Sequence, residues 1–245
     1  MEFDLFATCP LCMEDLVADE LSEIGAHSIR ITKAGVFFKG DMKCAYKTCL
    51  WSRTASRVLL TITSFQFHSV EELYESAYSI AWEHHMSPTT SFRIDVSGQS
   101  SVKIPIKYAA LKVKDALCDR FRERTNLRPS VDRINPQIIF SLFLGKDRAA
   151  ISIDLSGGSL HRRNYRQMNT SATLKENVAA AILLRAGWPE IAADGGTFID
   201  PMCGSGTILC EAMMKACRIP AGFFRKKFGF FFLPDFNKNL WEKIK

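Results

Sequence analysis

Residues 198–209 read F-I-D-P-M-C-G-S-G-T-I-L: an apolar run, an acid, two glycines and a second apolar run. That order describes a strand ending at Asp200, a loop, and a helix starting near Thr207. It is the first turn of a doubly wound α/β unit, in which ligands gather at the carboxyl ends of the strands. Gly204 and Gly206 lack Cβ, so a ligand can approach the backbone there. The N–H groups opening the Thr207 helix can meet an anion. A P-loop requires Gly-Lys-Ser/Thr, and this loop has no lysine. A dinucleotide fingerprint requires a third glycine, and Leu209 holds that place. Asp200 would repel a pyrophosphate but suits a ligand carrying a cation. S-adenosylmethionine has both groups: an ammonium for Asp200 and a carboxylate for the helix amides. An ordinary strand–turn–helix corner is the plainer alternative for two glycines alone.

Upstream of this loop, Thr173 and Glu176 have the spacing of a capping box opening a helix over 174–186, with Gly187 as its stop. A strand is expected at 196–200. Residues 156–171, S-G-G-S-L-H-R-R-N-Y-R-Q-M-N-T-S, are polar and basic and read as a linker or grasping loop. Residues 69–157 read helix, strand, helix, strand, strand. Ser69 and Glu72 cap the first helix, expected over 70–82. The second, over 104–124, has an apolar stripe of Ile106, Ala110, Val113, Leu117 and Phe121. Its basic residues, Lys107, Lys112, Lys114, Arg120 and Arg122, lie off that stripe. A hairpin at 137–157 turns near Gly145–Asp147. The N-terminal part reads strand (3–9), helix with a stop at Gly25, two strands turning at Ala34–Gly35, helix (41–55) and strand (57–65). Such a start predicts a small α+β sandwich. The tail from Phe228 is very aromatic and ends in a helix-like run.

The 245 residues suffice for one large domain or two small ones, and 47% are hydrophobic, enough for a packed core. The net charge of +6 is unevenly placed. Residues 1–50 carry five Lys/Arg against eight Asp/Glu, residues 102–133 nine against four, and residues 160–175 four against none. Basic surface gathered mid-chain points to a polyanionic partner, although such charges also keep helices soluble. No apolar run reaches the roughly 18 residues of a membrane span. The acidic N-terminus has the wrong charge for a signal peptide, so the cytoplasm is expected. Among eight cysteines, Cys9 and Cys12 alone have ligand-like spacing, and no second pair completes a zinc set. No metal is expected, and reduced thiols are the favoured reading.

Several stretches then carry a family resemblance. Residues 198–214, F-I-D-P-M-C-G-S-G-T-I-L-C-E-A-M-M, resemble motif I of the RNA methyltransferases that contain a THUMP domain. Residues 154–166 and 173–183 resemble the segment leading into their catalytic domain. L-W-S-R-T-A-S-R-V-L-L (50–60), Y-A-A-L-K-V-K-D-A-L-C-D-R-F (108–121) and R-P-S-V-D-R (128–133) resemble the front of the bacterial 23S ribosomal RNA guanine-N2 methyltransferases. These are often the N-terminal half of a bifunctional protein whose other half makes 7-methylguanosine. The resemblance covers essentially the whole chain. It implies an α+β part followed by α/β: a ferredoxin-like subdomain (1–50), a THUMP RNA-binding domain (43–154), and the truncated start of a Rossmann-like methyltransferase domain (160–245). By position, Asp200, Pro201, Gly204, Ser205, Gly206 and Thr207 would line the S-adenosylmethionine site, with Thr173 and Leu174 near its methionine end. Lys107, Lys112, Lys114, Arg120, Arg162 and Arg166 would serve 23S ribosomal RNA, with Arg162, Tyr165 and Arg166 near cofactor or RNA. Tyr108 and Tyr165 are candidates for base stacking or for the core.

The departures are specific. The family has glycine where this chain has Asn164 and, before its first helix, Cys12. Guanine-N2 enzymes of this type use an Asn-Pro-Pro-aromatic motif, which this sequence lacks; Asn135–Ile138 is a poor match. Residues 207–245 cannot supply the remaining strands of a doubly wound sheet. The expectation is therefore a chain cut inside its catalytic domain, binding RNA with little turnover. The alternative is a stand-alone THUMP-type RNA-binding module with a vestigial loop.

Overall fold

A computed structural model describes residues 2–102, 104–166 and 173–245. In chain order the first half runs β1 (Phe3–Thr8), α1 (Glu14–Ile24), β2 (His27–Thr32), β3 (Gly35–Gly40), α2 (Met42–Trp51), β4 (Arg57–Gln66), α3 (Val70–Ser79), β5 (Phe92–Gly98) and α4 (Ile106–Thr125). The second half runs β6 (Ile138–Leu144), β7 (Arg148–Asp154), α5 (Glu176–Arg185), α6 (Trp188–Ala193), α7 (Thr207–Ala216) and α8 (Lys238–Glu242), with short 3-10 turns at Trp82–His84 and Gly229–Phe232. The chain forms two compact units. Unit 1 is Met1–Val58, Ser159–Lys226 and Lys238–Lys245; unit 2 is Leu59–Gly158 and Lys227–Asn237.

In unit 1, β2, β3 and β1 form an antiparallel ladder. Alternation sends Leu5, Ala7, Val36 and Phe38 inward, where Val17 and Leu21 of α1 and Ala45 and Tyr46 of α2 are also buried. On the opposite face, Arg30 lies over the Phe37 ring at 4.5 Å. Gly25 stops α1 at φ 94°, a left-handed turn that costs a side-chain-bearing residue about 1 kcal/mol. Asp41 starts α2 by accepting the Cys44 N–H at 2.8 Å.

That helix ends at Trp51, short of the expected Ala55, because a residue remote in sequence intervenes. Glu20 of α1 accepts from Ser52 Oγ (2.6 Å), Arg53 N (2.9 Å), Thr54 N (3.2 Å) and Thr54 Oγ1 (2.7 Å). These bonds to charge outcompete one more helical turn. The expected strand at 196–200 is likewise not formed. A strand exists only by pairing, and no described strand pairs with it; Ile199 is 79% exposed.

Unit 2 has the order β4-β7-β6-β5, antiparallel except for the parallel β5–β6 pair, which α4 connects. Trp82 meets Phe140 edge-on at 5.0 Å and gives its indole N–H to Ala77 O at 2.8 Å. Val113, Leu117 and Phe121 of α4 are buried, whereas Ile106 at the helix start is exposed. Ser69 caps α3 by accepting the Glu72 N–H at 3.1 Å, and Glu72 accepts the His68 N–H at 2.7 Å. The helix stops at Ser79 rather than 82, and a 3-10 turn turns Trp82 into the core. Among the described residues, no helix is long and apolar enough to cross a membrane.

Candidate functional site

The glycine loop is built by its own backbone. Asp200 Oδ1 accepts the Met202 N–H at 3.1 Å, and Cys203 O accepts the Gly206 N–H at 2.8 Å, closing the turn. Gly204 and Gly206 have φ of 53° and 72°, and a Cβ at either would meet nothing within 4 Å. The glycines therefore serve conformation and open access, not close packing. Gly206 O accepts the first helical bond of α7, from Cys210 N at 2.9 Å. No side chain caps this helix, so its leading amides point out unmet by a cap. Ser205 Oγ lies 3.1 Å from Thr207 Oγ1.

Behind the loop, one guanidinium ties three segments together. Arg166 donates from Nε to Glu176 Oε1 at 2.8 Å, and from Nη2 to Leu174 O and to Thr207 Oγ1, the last at 3.1 Å. Leu174, Arg166 and Thr207 thus meet at the start of α7. The Thr173–Glu176 capping box is not formed. The carboxylate of Glu176 is committed to Arg166, and Lys175 holds the cap position without a side-chain bond.

One turn deeper stands a buried charge cluster that the sequence reading missed. Glu211, fully buried, accepts at Oε1 from Arg163 Nε (3.3 Å) and from Tyr165 Oη (3.1 Å). Its Oε2 lies 3.7 Å from Arg53 Nη1. Arg163 also donates to Arg53 O at 2.6 Å and Leu160 O at 3.2 Å; Arg53 donates to Met214 O at 3.1 Å and to Ile219 O. Burial pulls the Arg53 guanidinium below its ordinary pKa, and Glu211 opposes that fall. Burial, reinforced by Glu211, pushes the Tyr165 phenol up. The lone acid inside the apolar run of α7 was the available signal, since a buried charge demands partners.

Residues 160–166 are consequently no surface linker. Arg163 is 1% exposed because Glu211 neutralises it, while Arg162 faces outward. Asn164 takes φ 68° and Cys12 takes φ 66°, so both non-glycine departures stand in left-handed turns.

The basic residues of α4 divide. Lys107 is exposed, and Lys112 Nζ lies 5.4 Å from the centroid of the exposed Tyr108 ring. Lys114 is paired with Asp115. Arg120 grips Glu83 through two bonds of 2.8 and 3.0 Å and donates to Tyr78 O and Ser79 O, fastening α4 to the end of α3. Asn135 and Pro136 accept from Lys227 Nζ at 3.2 and 2.9 Å, a structural role for that proline-containing turn. Cys9 is buried; desolvation, then Glu14 and Asp15, push its thiol up to about 12.

Three family models match in succession: the RlmL ferredoxin-like domain over residues 4–59, the THUMP domain over 67–154, and the RMKL-like methyltransferase domain over 163–245. The ribosomal RNA large subunit methyltransferase K/L of Cellvibrio japonicus is 46% identical over 240 residues, which are 98% of this chain and 32% of that protein. The protein of the same name from Methylococcus capsulatus is 45% identical over 244 residues, 100% of this chain and 33% of that one. The chain therefore spans about a third of the length of these relatives. Among solved structures, a predicted N6-adenine-specific DNA methylase from Listeria monocytogenes superposes with a TM-score of 0.86 at 28% identity, covering 100% of this chain and 63% of that one. The SMU.472 protein complexed with SAH gives 0.85 at 30% identity, covering 99% and 63%.

Proposed function

We propose, for a chain that belongs to the ribosomal RNA large subunit methyltransferase K/L family, that it supplies the RNA-binding module and the cofactor loop of an S-adenosylmethionine-dependent ribosomal RNA methyltransferase. The observation carrying this reading is the loop: two left-handed glycines with open space above them, opening an uncapped helix of ten residues. That opening accommodates the cofactor's methionine end. Asp200, Pro201, Gly204, Ser205, Gly206 and Thr207 would hold it, with Thr173 and Leu174 beside the methionine carboxylate. S-adenosylmethionine, when bound, supplies a methyl group on a cationic sulfur. The protein's part is recognition and positioning. Asp200 accepts an N–H from a cationic amine, the α7 amides meet a carboxylate, and Arg166 fixes Thr207 and Leu174 relative to each other.

In sequence terms the proposed modules are 1–50, ferredoxin-like, overlapping 43–154, THUMP, followed by 160–245, methyltransferase. The proposed RNA contacts narrow to Lys107, Lys112 and Arg162, because Lys114, Arg120 and Arg166 are committed to carboxylates. The acceptor we propose is a guanine exocyclic amine of 23S ribosomal RNA: the names of the relatives support large-subunit ribosomal RNA, and the guanine amine rests on the resemblance of residues 50–60, 108–121 and 128–133 to guanine-N2 enzymes. Calorimetric titration with S-adenosylmethionine tests the loop. Asp200→Ala removes a charged hydrogen bond of about 1.5–3 kcal/mol and should weaken binding by roughly tenfold or more. Equal affinity of the variant and the wild type would overturn the assignment.

A further inference from the structure

A second groove lies in unit 1, away from the glycine loop. It encloses about 550 Å³, and its walls include Lys47 and Trp51 of α2, Arg53, Glu23 of α1, Lys215 at the end of α7, and Arg218 just beyond. Lys47, Lys215 and Arg218 make no ion pair or side-chain hydrogen bond among the described residues, unlike Lys114, Arg120 and Arg166. The other carboxylate in the wall, Glu20, is saturated by Ser52, Arg53 and Thr54. Glu23 is then the one uncommitted acid facing three uncommitted cations. Trp51, half-buried, adds an aromatic wall. Uncommitted cations beside an aromatic side chain, in a volume of one or two nucleotides, are the ingredients of a single-strand nucleic-acid site.

We propose that this groove binds an unpaired stretch of RNA, with phosphates on Lys47, Lys215 and Arg218 and a base against Trp51. The inference rests on the RNA-binding reading above and adds a contact surface separate from α4. The test is fluorescence anisotropy of a labelled ten-nucleotide single-stranded RNA, titrated with the protein across a salt series. Three forms are compared: wild type, the groove set K47Q/K215Q/R218Q, and the α4 set K107E/K112E. Single-strand binding loses about 0.7 of salt slope per phosphate contact, so the groove set should flatten the slope by about 2 and weaken binding roughly tenfold or more. Circular dichroism of each variant verifies its fold. If the groove set matches wild type while the α4 set weakens binding, the groove proposal falls and the RNA reading stands. If wild type does not bind, both fall. A groove K47E/K215E pair that leaves the slope unchanged would also overturn the proposal.

Discussion

Replacing Glu211 with alanine tests how far unit 1 depends on one buried carboxylate. The contacts of 3.3 Å to Arg163 and 3.7 Å to Arg53 are each worth about 4–5 kcal/mol of attraction at an effective dielectric of about 20. Withdrawing three charges from water costs several kcal/mol apiece, so the intact cluster sits near balance. Without Glu211, that desolvation remains unopposed. Arg163 at 1% exposure and Arg53 at 5% then repel each other, and the Tyr165 hydroxyl loses its acceptor. The expected loss is about 3–5 kcal/mol. Urea unfolding, followed by far-ultraviolet circular dichroism, measures it. A cycle through R163M, E211L and the double variant should show coupling of about 1–3 kcal/mol, the double being less damaged than the sum of the singles. A loss under about 1 kcal/mol with additive singles would refute the idea that these charges hold one another in place.

Three further outcomes follow from other parts of the molecule. The Arg120 fork holds the Glu83 carboxyl down to about 2 from its ordinary 4.5. Its folded pKa is depressed, so the stability it gives is present above 4.5 and is lost as pH falls through about 2. After solvent screening that is about 1 kcal/mol, and R120M should abolish this part of the acid dependence of the urea midpoint. Cys12→Gly relieves a left-handed turn at φ 66° and should stabilise by about 0.5–1 kcal/mol; a lower melting temperature would contradict that account. Ser69→Ala removes the α3 cap and should cost about 1 kcal/mol in the same urea assay, whereas an unchanged midpoint would show the bond to Glu72 N to be idle.

Where the determinants are local, the sequence was readable. Strand-like runs and their turn residues placed β1, β3 and the β6–β7 hairpin, Gly25 marked the end of α1, and the serine of the 69–72 box caps as its spacing implies. The glycine loop was readable for the same reason, since two residues without Cβ set its conformation. Non-local competition hid the rest. Glu20 ends α2 from some 30 residues away, which no helix propensity in residues 41–55 discloses. Arg166 takes Glu176 from its own cap because a charged partner binds more strongly than a backbone amide. The six-residue α6, with Pro189 near its start, is too short to show a period. Arg163 and Arg162 are neighbours of equal charge, yet one is buried and the other exposed; only the position of Glu211 separates them. The same rule divides the cations of α4, where Glu83 and Asp115 withdraw Arg120 and Lys114 from the solvent-facing set.

Amide hydrogen exchange with and without S-adenosylhomocysteine probes the cofactor loop at the atoms that would do the binding. Ligand should slow exchange at the amides of 202–209, and to a lesser degree at 173–176, while β2 and β3 exchange as before. Unaltered exchange across 202–209 at saturating ligand would contradict the assignment of this loop as the cofactor cradle.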